Sequence, residues 1–143
     1  MKLYTYFRSS AAYRVRIALN LKGLTYDAVP VHLLRDGGQH LADNYLNVNP
    51  SGLVPAFQDE EITLTQSMAI LEYLEEVHTM APLLPRDAIG RARVRELAQI
   101  IACDIHPICN LRVLKYLVKQ LGQSEEVKTD WSRHWVIEGL RSL

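Results

Sequence analysis

Two adjacent serines, Ser9 and Ser10, stand between a short strand-like run and a helix-forming stretch, with Arg8 just before them and Arg14 and Arg16 just after. Lys2–Tyr6 reads as the strand; Val15, Ala18 and Leu19 form one helical stripe with Ile17 and Leu21 beside it. Hydroxyls at the first turn of a helix lie where unpaired backbone N–H groups and the helix dipole favour negative charge, so this corner suits an anion. The corner holds no sulfur. The two cysteines, Cys103 and Cys109, lie six positions apart on a helical stretch, face different ways, and suit neither a disulfide nor a redox pair. A thiol that reacts at this corner therefore comes from outside the chain. The competing reading is that the serines merely cap the helix, and one serine can do both. Arg8 offers a guanidinium that binds a carboxylate through two parallel hydrogen bonds, whereas Arg14, Arg16, Arg91, Arg93 and Arg95 read mostly as solvated or ion-paired.

Composition narrows the classes. The 143 residues allow one domain or two small ones, and 48% hydrophobic with 22% charged residues is typical of a globular chain. A formal net charge of +0 argues against nucleic acid as a partner. No apolar run approaches the ~20 residues that span a bilayer, and no leader precedes the first strand; we expect no membrane partner and a reducing, cytoplasmic setting. The five histidines show no metal spacing and no Cys/His cluster exists, so no metal is expected.

The elements that must position the serines read as strand and helix in alternation over residues 1–80. Gly23 is placed to stop the first helix in a left-handed cap. A second strand follows at Tyr26–Val31, a turn at Asp36-Gly37-Gly38, a weak helix at Gln39–Leu46 and a turn at Asn49–Gly52. Val54–Phe57 and Ile62–Leu64 read as a hairpin around an acidic Gln58–Glu61 turn, before a helix with Ile70, Tyr73, Leu74 and Val77 on one stripe. That order, βαβ then α then ββα, has a parallel and an antiparallel half. Ala81-Pro82-Leu83-Leu84-Pro85 marks a linker at 81–86, and 87–143 reads as all-helical. There Val94, Leu97, Ala98, Ile101, Ile105 and Ile108 share a stripe, Pro107 predicts a kink, and Leu111, Leu114, Val118 and Leu121 carry the stripe to Gly122. Ser124, with Val127 behind it, starts a last helix holding Trp131 and Trp135.

Three stretches together resemble the zeta class of glutathione transferases, which includes maleylacetoacetate and maleylpyruvate isomerases. They are Arg8-Ser9-Ser10 through Leu19, Asn49-Pro50 with Val54-Pro55, and Gln66-Ser67 through Leu74; Ile105-His106-Pro107 with Asn110-Leu111 extends the likeness. The resemblance implies a thioredoxin-like α+β domain followed by part of an all-α transferase domain, which in the family continues well past position 143. It implies glutathione as the external thiol. Ala11 stands where the family usually has a cysteine, so no role attaches to that cysteine here.

The resemblance also implies roles. Ser9 or Ser10 would donate a hydrogen bond to the glutathione thiolate. A free thiol has a pKa of about 8.5, and lowering it by roughly two units takes ~2.7 kcal/mol, within reach of a charge-assisted bond and a helix dipole. Ala11, Ala12, Tyr13 and Arg14 continue that motif. Val54 would pair its main chain with the peptide-like ligand beside a cis Pro55, and Gln66-Ser67 would hold the γ-glutamyl carboxylate at a helix N-terminus. His40, His106, Asn110, Leu111 and Arg112 match positions that contact glutathione or line the cleft. The implied activity is glutathione-dependent cis–trans isomerisation of a maleyl-type dicarboxylic keto acid by a homodimer, with Arg8 stabilising the enolate and carboxylates. A broader transferase or dehalogenase, or a non-catalytic binding module, would share the same first-domain motifs.

Overall fold

The computed structural model describes residues 1–60 and 62–143. It divides into two compact units, Met1–Leu83 and Leu84–Leu143.

The first unit is a four-stranded mixed sheet with the order β2-β1-β3-β4, formed by β1 Lys2–Thr5, β2 Asp27–Pro30, β3 Ala56–Asp59 and β4 Ile62–Thr65. β2 runs parallel to β1; β3 is antiparallel to both β1 and β4. The parallel pair needs a crossover, and α1 (Ser10–Leu21) supplies it. α2 (Asp43–Leu46) lies in the connection to β3, and α3 (Ser67–Val77) follows β4. This is the expected βαβ-α-ββα order.

The core forms where α1 and α3 lay their apolar stripes on the sheet. Leu3, Val15, Leu19, Phe57, Ile70 and Leu74 are fully buried there. Val77, expected on the α3 stripe, is exposed, because the helix ends there at His78. Gly23 stops α1 as expected, at φ +66, a conformation other residues adopt with strain. The helix expected at Gln39–Leu46 is split: Ala42 is extended (ψ 147) between a 3-10 turn at Gln39–Leu41 and α2. β3 starts at Ala56, two residues later than expected, since Pro55 has no N–H for a ladder. The acidic hairpin turn includes Glu61, which lies outside the described residues; Glu60 has φ +48.

One polar cluster is buried in this unit. The Lys22 ammonium, its side chain 0% exposed, lies 2.7 Å from the Glu75 carboxylate and donates to the carbonyls of His78 and Ala81. Glu75 in turn accepts the Leu83 N–H. These bonds fasten the segment after α3 to the end of α1.

The second unit is helical: α4 Ala88–Gln99, a π-helical turn Ile100–Ile105, α5 His106–Cys109, α6 Leu111–Lys119 and α7 Glu125–Leu140. Pro107 was expected to kink a continuous helix; instead the distortion spreads to both sides of it. Before the proline the turn widens, with the His106 N–H donating to Ile101, and after it Asn110 is extended (ψ 162). Proline lacks the N–H that would bond Cys103 and its ring displaces that carbonyl, which a wide turn accommodates. By length and composition alone Ala88–Lys119 would cross a bilayer, but the extended Asn110 interrupts its hydrogen-bond ladder.

Ser124 caps α7 by accepting the Val127 N–H, as expected. Trp131 donates to the Ile108 carbonyl, and Gly139 packs on Ile105 so closely that an added Cβ would lie 2.2 Å from its Cγ1. Leu117, not Leu114 or Val118, is the buried residue of α6, and Leu121 is exposed beyond its end.

Candidate active site

Strand register gathers the first-unit candidates at one end of the sheet. Tyr4 pairs with Ala56, and Ala56 with Thr65. The chain leaving β1 toward Ser9, the chain entering β3 through Val54-Pro55, and the chain leaving β4 toward Gln66-Ser67 therefore share that end.

Ser9 has extended backbone (φ −80, ψ 112), and its Oγ accepts the Ala12 N–H at 3.2 Å, which starts α1 at Ser10. The turn before it is closed by the Ser9 N–H donating to Tyr6 at 2.9 Å. The capping role is thus real for Ser9, and it leaves the hydroxyl proton available, since a hydroxyl has two lone pairs and one donor. Ser10 is exposed at the first helical position; Ala11 and Ala12 are buried against the core, and Tyr13 is exposed. Arg8 is exposed just ahead of the serines. The Arg16 guanidinium stacks over the Tyr13 ring at 4.9 Å and donates to the Phe7 carbonyl at 3.3 Å, steadying the turn that carries Arg8.

The Val54–Pro55 peptide is cis. The carbonyl just before it, on Leu53, is held by two donors at 2.6 Å each, the Tyr45 hydroxyl and the Asn49 side-chain amide. Asn49 is 2% exposed and its Oδ1 accepts the Ser51 N–H, so the Asn49-Pro50 turn works as a bracket for the residues that follow. Burial pushes the Tyr45 hydroxyl up to about 12, against the opposing effect of the Asn49 hydrogen bond, so it stays a neutral donor. Among the described residues, none hydrogen-bonds to the Val54 main chain.

Gln66 has φ 70 and ψ 113, a left-handed conformation that costs a non-glycine residue on the order of 1–3 kcal/mol. Its side chain makes no capping bond, which removes the capping explanation for this residue. The strained turn delivers Ser67 as the first residue of α3, 6% exposed, where its Oγ accepts from Arg14 Nη1 at 2.8 Å. Arg14 thereby joins the serine corner of α1 to the start of α3.

His40 is buried in the loop before α2. Gly38 makes room for it: a Cβ there would lie 2.5 Å from His40 Cε1, and φ +112 excludes a side chain anyway. His106, Asn110, Leu111 and Arg112 belong to the second unit. There Asn110 is the N-cap of α6, accepting the Arg112 N–H at 2.9 Å; His106 and Leu111 are half-buried and Arg112 is exposed. No group of three metal-ligating side chains exists among the described residues.

Sequence reasoning missed Tyr45 as a support of the Val54 segment, and Lys22 and Glu75 altogether. Only Asn49-Pro50 carried a local signal for that bracket.

This arrangement offers a hydroxyl proton at one helix N-terminus, a second hydroxyl and free N–H groups at another, and an unpaired main-chain edge between them. The first 76 residues match the family described as glutathione S-transferase, N-terminal domain. Maleylacetoacetate isomerase of Pseudomonas aeruginosa is 53% identical over 144 residues, covering 100% of this chain and 68% of that one. The chain belongs to the glutathione S-transferase family, in its zeta class. Among solved structures, a holo maleylpyruvate isomerase described as a bacterial zeta-class glutathione S-transferase is 47% identical with a TM-score of 0.95, over 99% of this chain and 66% of that one. Maleylacetoacetate isomerase of Methylobacterium extorquens AM1, solved with bound malonate and glutathione, is 46% identical with a TM-score of 0.95 and the same coverage. The chain spans about two thirds of the length of these relatives.

Proposed function

We propose that this chain binds glutathione in its first unit and uses it to isomerise a maleyl-type dicarboxylic keto acid to the fumaryl form. The observation that carries the reading is the site at one end of the sheet, Ser9, Val54 and Ser67, in a chain 53% identical over its whole length to a maleylacetoacetate isomerase.

Bound glutathione supplies a thiolate that adds reversibly to the double bond beside the ketone, making it a single bond free to rotate before elimination. The chain's residues do the rest. Ser9, its lone pair occupied by the Ala12 N–H, directs its O–H at the sulfur and, with the N-terminus of α1, holds it ionised. Val54 offers its main-chain N–H and C=O to the cysteinyl unit. Ser67 and the first N–H groups of α3 take the γ-glutamyl carboxylate. Arg8 takes a substrate carboxylate and the developing enolate charge. The malonate in the Methylobacterium relative supports a dicarboxylate substrate. The family motifs alone give His40, His106, Asn110, Leu111 and Arg112 further ligand contacts in this reading. Homodimer assembly and a cytoplasmic location belong to the same proposal.

The test is the isomerase assay with maleylpyruvate and maleylacetoacetate, with and without glutathione, alongside titration of reduced glutathione. Turnover that requires glutathione supports the reading. Ser9→Ala should cut turnover at pH 7 by about 25-fold, the thiolate fraction lost when a pKa returns from about 6.5 to about 8.5, with a much smaller change in glutathione affinity. Glutathione binding without turnover on either acid, or on alkyl halides and other electrophiles, would leave a binding module instead.

A further inference from the structure

Ser67 and Arg14 meet in a bond whose polarity is fixed. A guanidinium has five N–H donors and no acceptor, so in the 2.8 Å contact Arg14 Nη1 donates and Ser67 Oγ accepts. The hydroxyl proton must then point away from Arg14. Ser67 is 6% exposed, so little of it meets bulk water, and among the described residues none accepts that proton. A buried O–H that is barred from its nearest partner needs an acceptor, and leaving it unmade costs on the order of 1–3 kcal/mol. The acceptor's charge follows from what surrounds the proton. The Arg14 guanidinium is beside Ser67, and Ser67 opens α3, whose first N–H groups receive no capping bond from the Gln66 side chain. A nearby cation and helix N-terminal N–H groups favour an anionic oxygen over a neutral one at that place.

We infer that Arg14 is a positioning residue: it sets the Ser67 hydroxyl as a donor and so makes the start of α3 selective for a carboxylate over a neutral group. The inference rests on the glutathione reading, in which that carboxylate is the α-carboxylate of the γ-glutamyl unit. Ser9 resembles it by a different route, because one of its two lone pairs accepts the backbone N–H of Ala12. Both hydroxyls are thereby turned into outward donors, one toward sulfur and one toward a carboxylate. Replacing Arg14 frees Ser67 to rotate and accept, and the preference for an anion falls.

The experiment compares the binding of glutathione with that of 4-aminobutyryl-cysteinyl-glycine, which lacks only the α-carboxylate, to the whole chain. Wild type should prefer glutathione by tenfold or more. Arg14→Met should bring the ratio to within about threefold of unity, Arg14→Lys should restore part of it, and Ser67→Ala should change it little further in the Arg14→Met background. A ratio is insensitive to the fraction of protein folded, so a general loss of structure does not imitate the result. A wild-type ratio retained in Arg14→Met, or multiplicative losses from Arg14→Met and Ser67→Ala, would overturn the role of Arg14 alone. Absence of glutathione binding in wild type would overturn the functional reading itself, and this inference with it.

Discussion

The two units are built on different balances. In the first, six large side chains are fully buried between helices and sheet, and polar bonds such as Arg14–Ser67 and Lys22–His78 span 53 and 56 residues. In the second, only Ile105 and Leu117 fall to 7% and 8% exposure, while Trp135, Val136, Ile137 and Leu140 of α7 stand 36–49% exposed. The ion pairs Arg93–Glu96, Lys128–Glu125 and Arg141–Glu138 in it each join residues one helical turn apart. Local bonds shape a helix but add little to global stability, whereas buried area and long-range bonds do. The lesson is that the ends of α1 and α3 that carry Ser9 and Ser67 stand on a unit with its own buried core and long-range polar bonds.

The comparison can be broken most directly in the cores. Phe57→Ala should cost the first unit about 3–5 kcal/mol, and Trp135→Ala, which loses its edge contact with Trp131, about 1 kcal/mol in the second. Urea unfolding followed by circular dichroism separates the two, and equal losses would erase the distinction. Lys22→Met leaves the Glu75 carboxylate buried without its partner and should cost about 3–5 kcal/mol, whereas Arg93→Ala, in a pair more than half exposed, should change stability by less than ~0.5 kcal/mol. Gly139→Ala tests the tightest packing in the second unit. The added methyl meets Ile105 and should cost about 1–3 kcal/mol, with Ile105→Val recovering part of it.

A further effect is alkaline. The folded-state value of Tyr45 is raised, so its stabilising contribution is full below the ordinary tyrosine value near pH 10 and is lost as pH rises toward about 12. Tyr73 is raised as well, by burial first and then by its hydrogen bond to Asp59, and acts in the same direction. Absorbance titration should show tyrosines ionising late and together with loss of the first unit, and Tyr45→Phe should remove part of that pH dependence.

Much of this was legible in the sequence where the signal is local. The α1 stripe, the Gly23 stop, the Ser124 cap and the strand order all follow from residues within a turn or two of one another. Split and shifted elements mark where tertiary geometry prevailed: Ala42 breaks the weak helix, and the π-helical turn shares out the distortion of Pro107. Ser9, Val54-Pro55 and Ser67 were singled out by the family motifs, and the strand register brings them to one end of the sheet. What lay beyond reach were the partners. Nothing near Arg14 announces Ser67, nothing near Tyr45 announces the Leu53 carbonyl, and a lysine at position 22 looks like any surface cation until Glu75 is packed beside it.

The bond between Arg14 and Ser67 also places the site in time. During synthesis the serine corner emerges early, but its counterpart at the start of α3 is made only after more than fifty further residues have been added. A ribosome that has released only the first three strands carries half a site with nothing to close it. In the glutathione reading proposed above, ligand capture waits for α3 and acts back on assembly through mass action. At a ligand concentration a hundred times its dissociation constant, the folded form gains ~2.7 kcal/mol over the unfolded chain, so the ligand of that reading would be a folding aid as well.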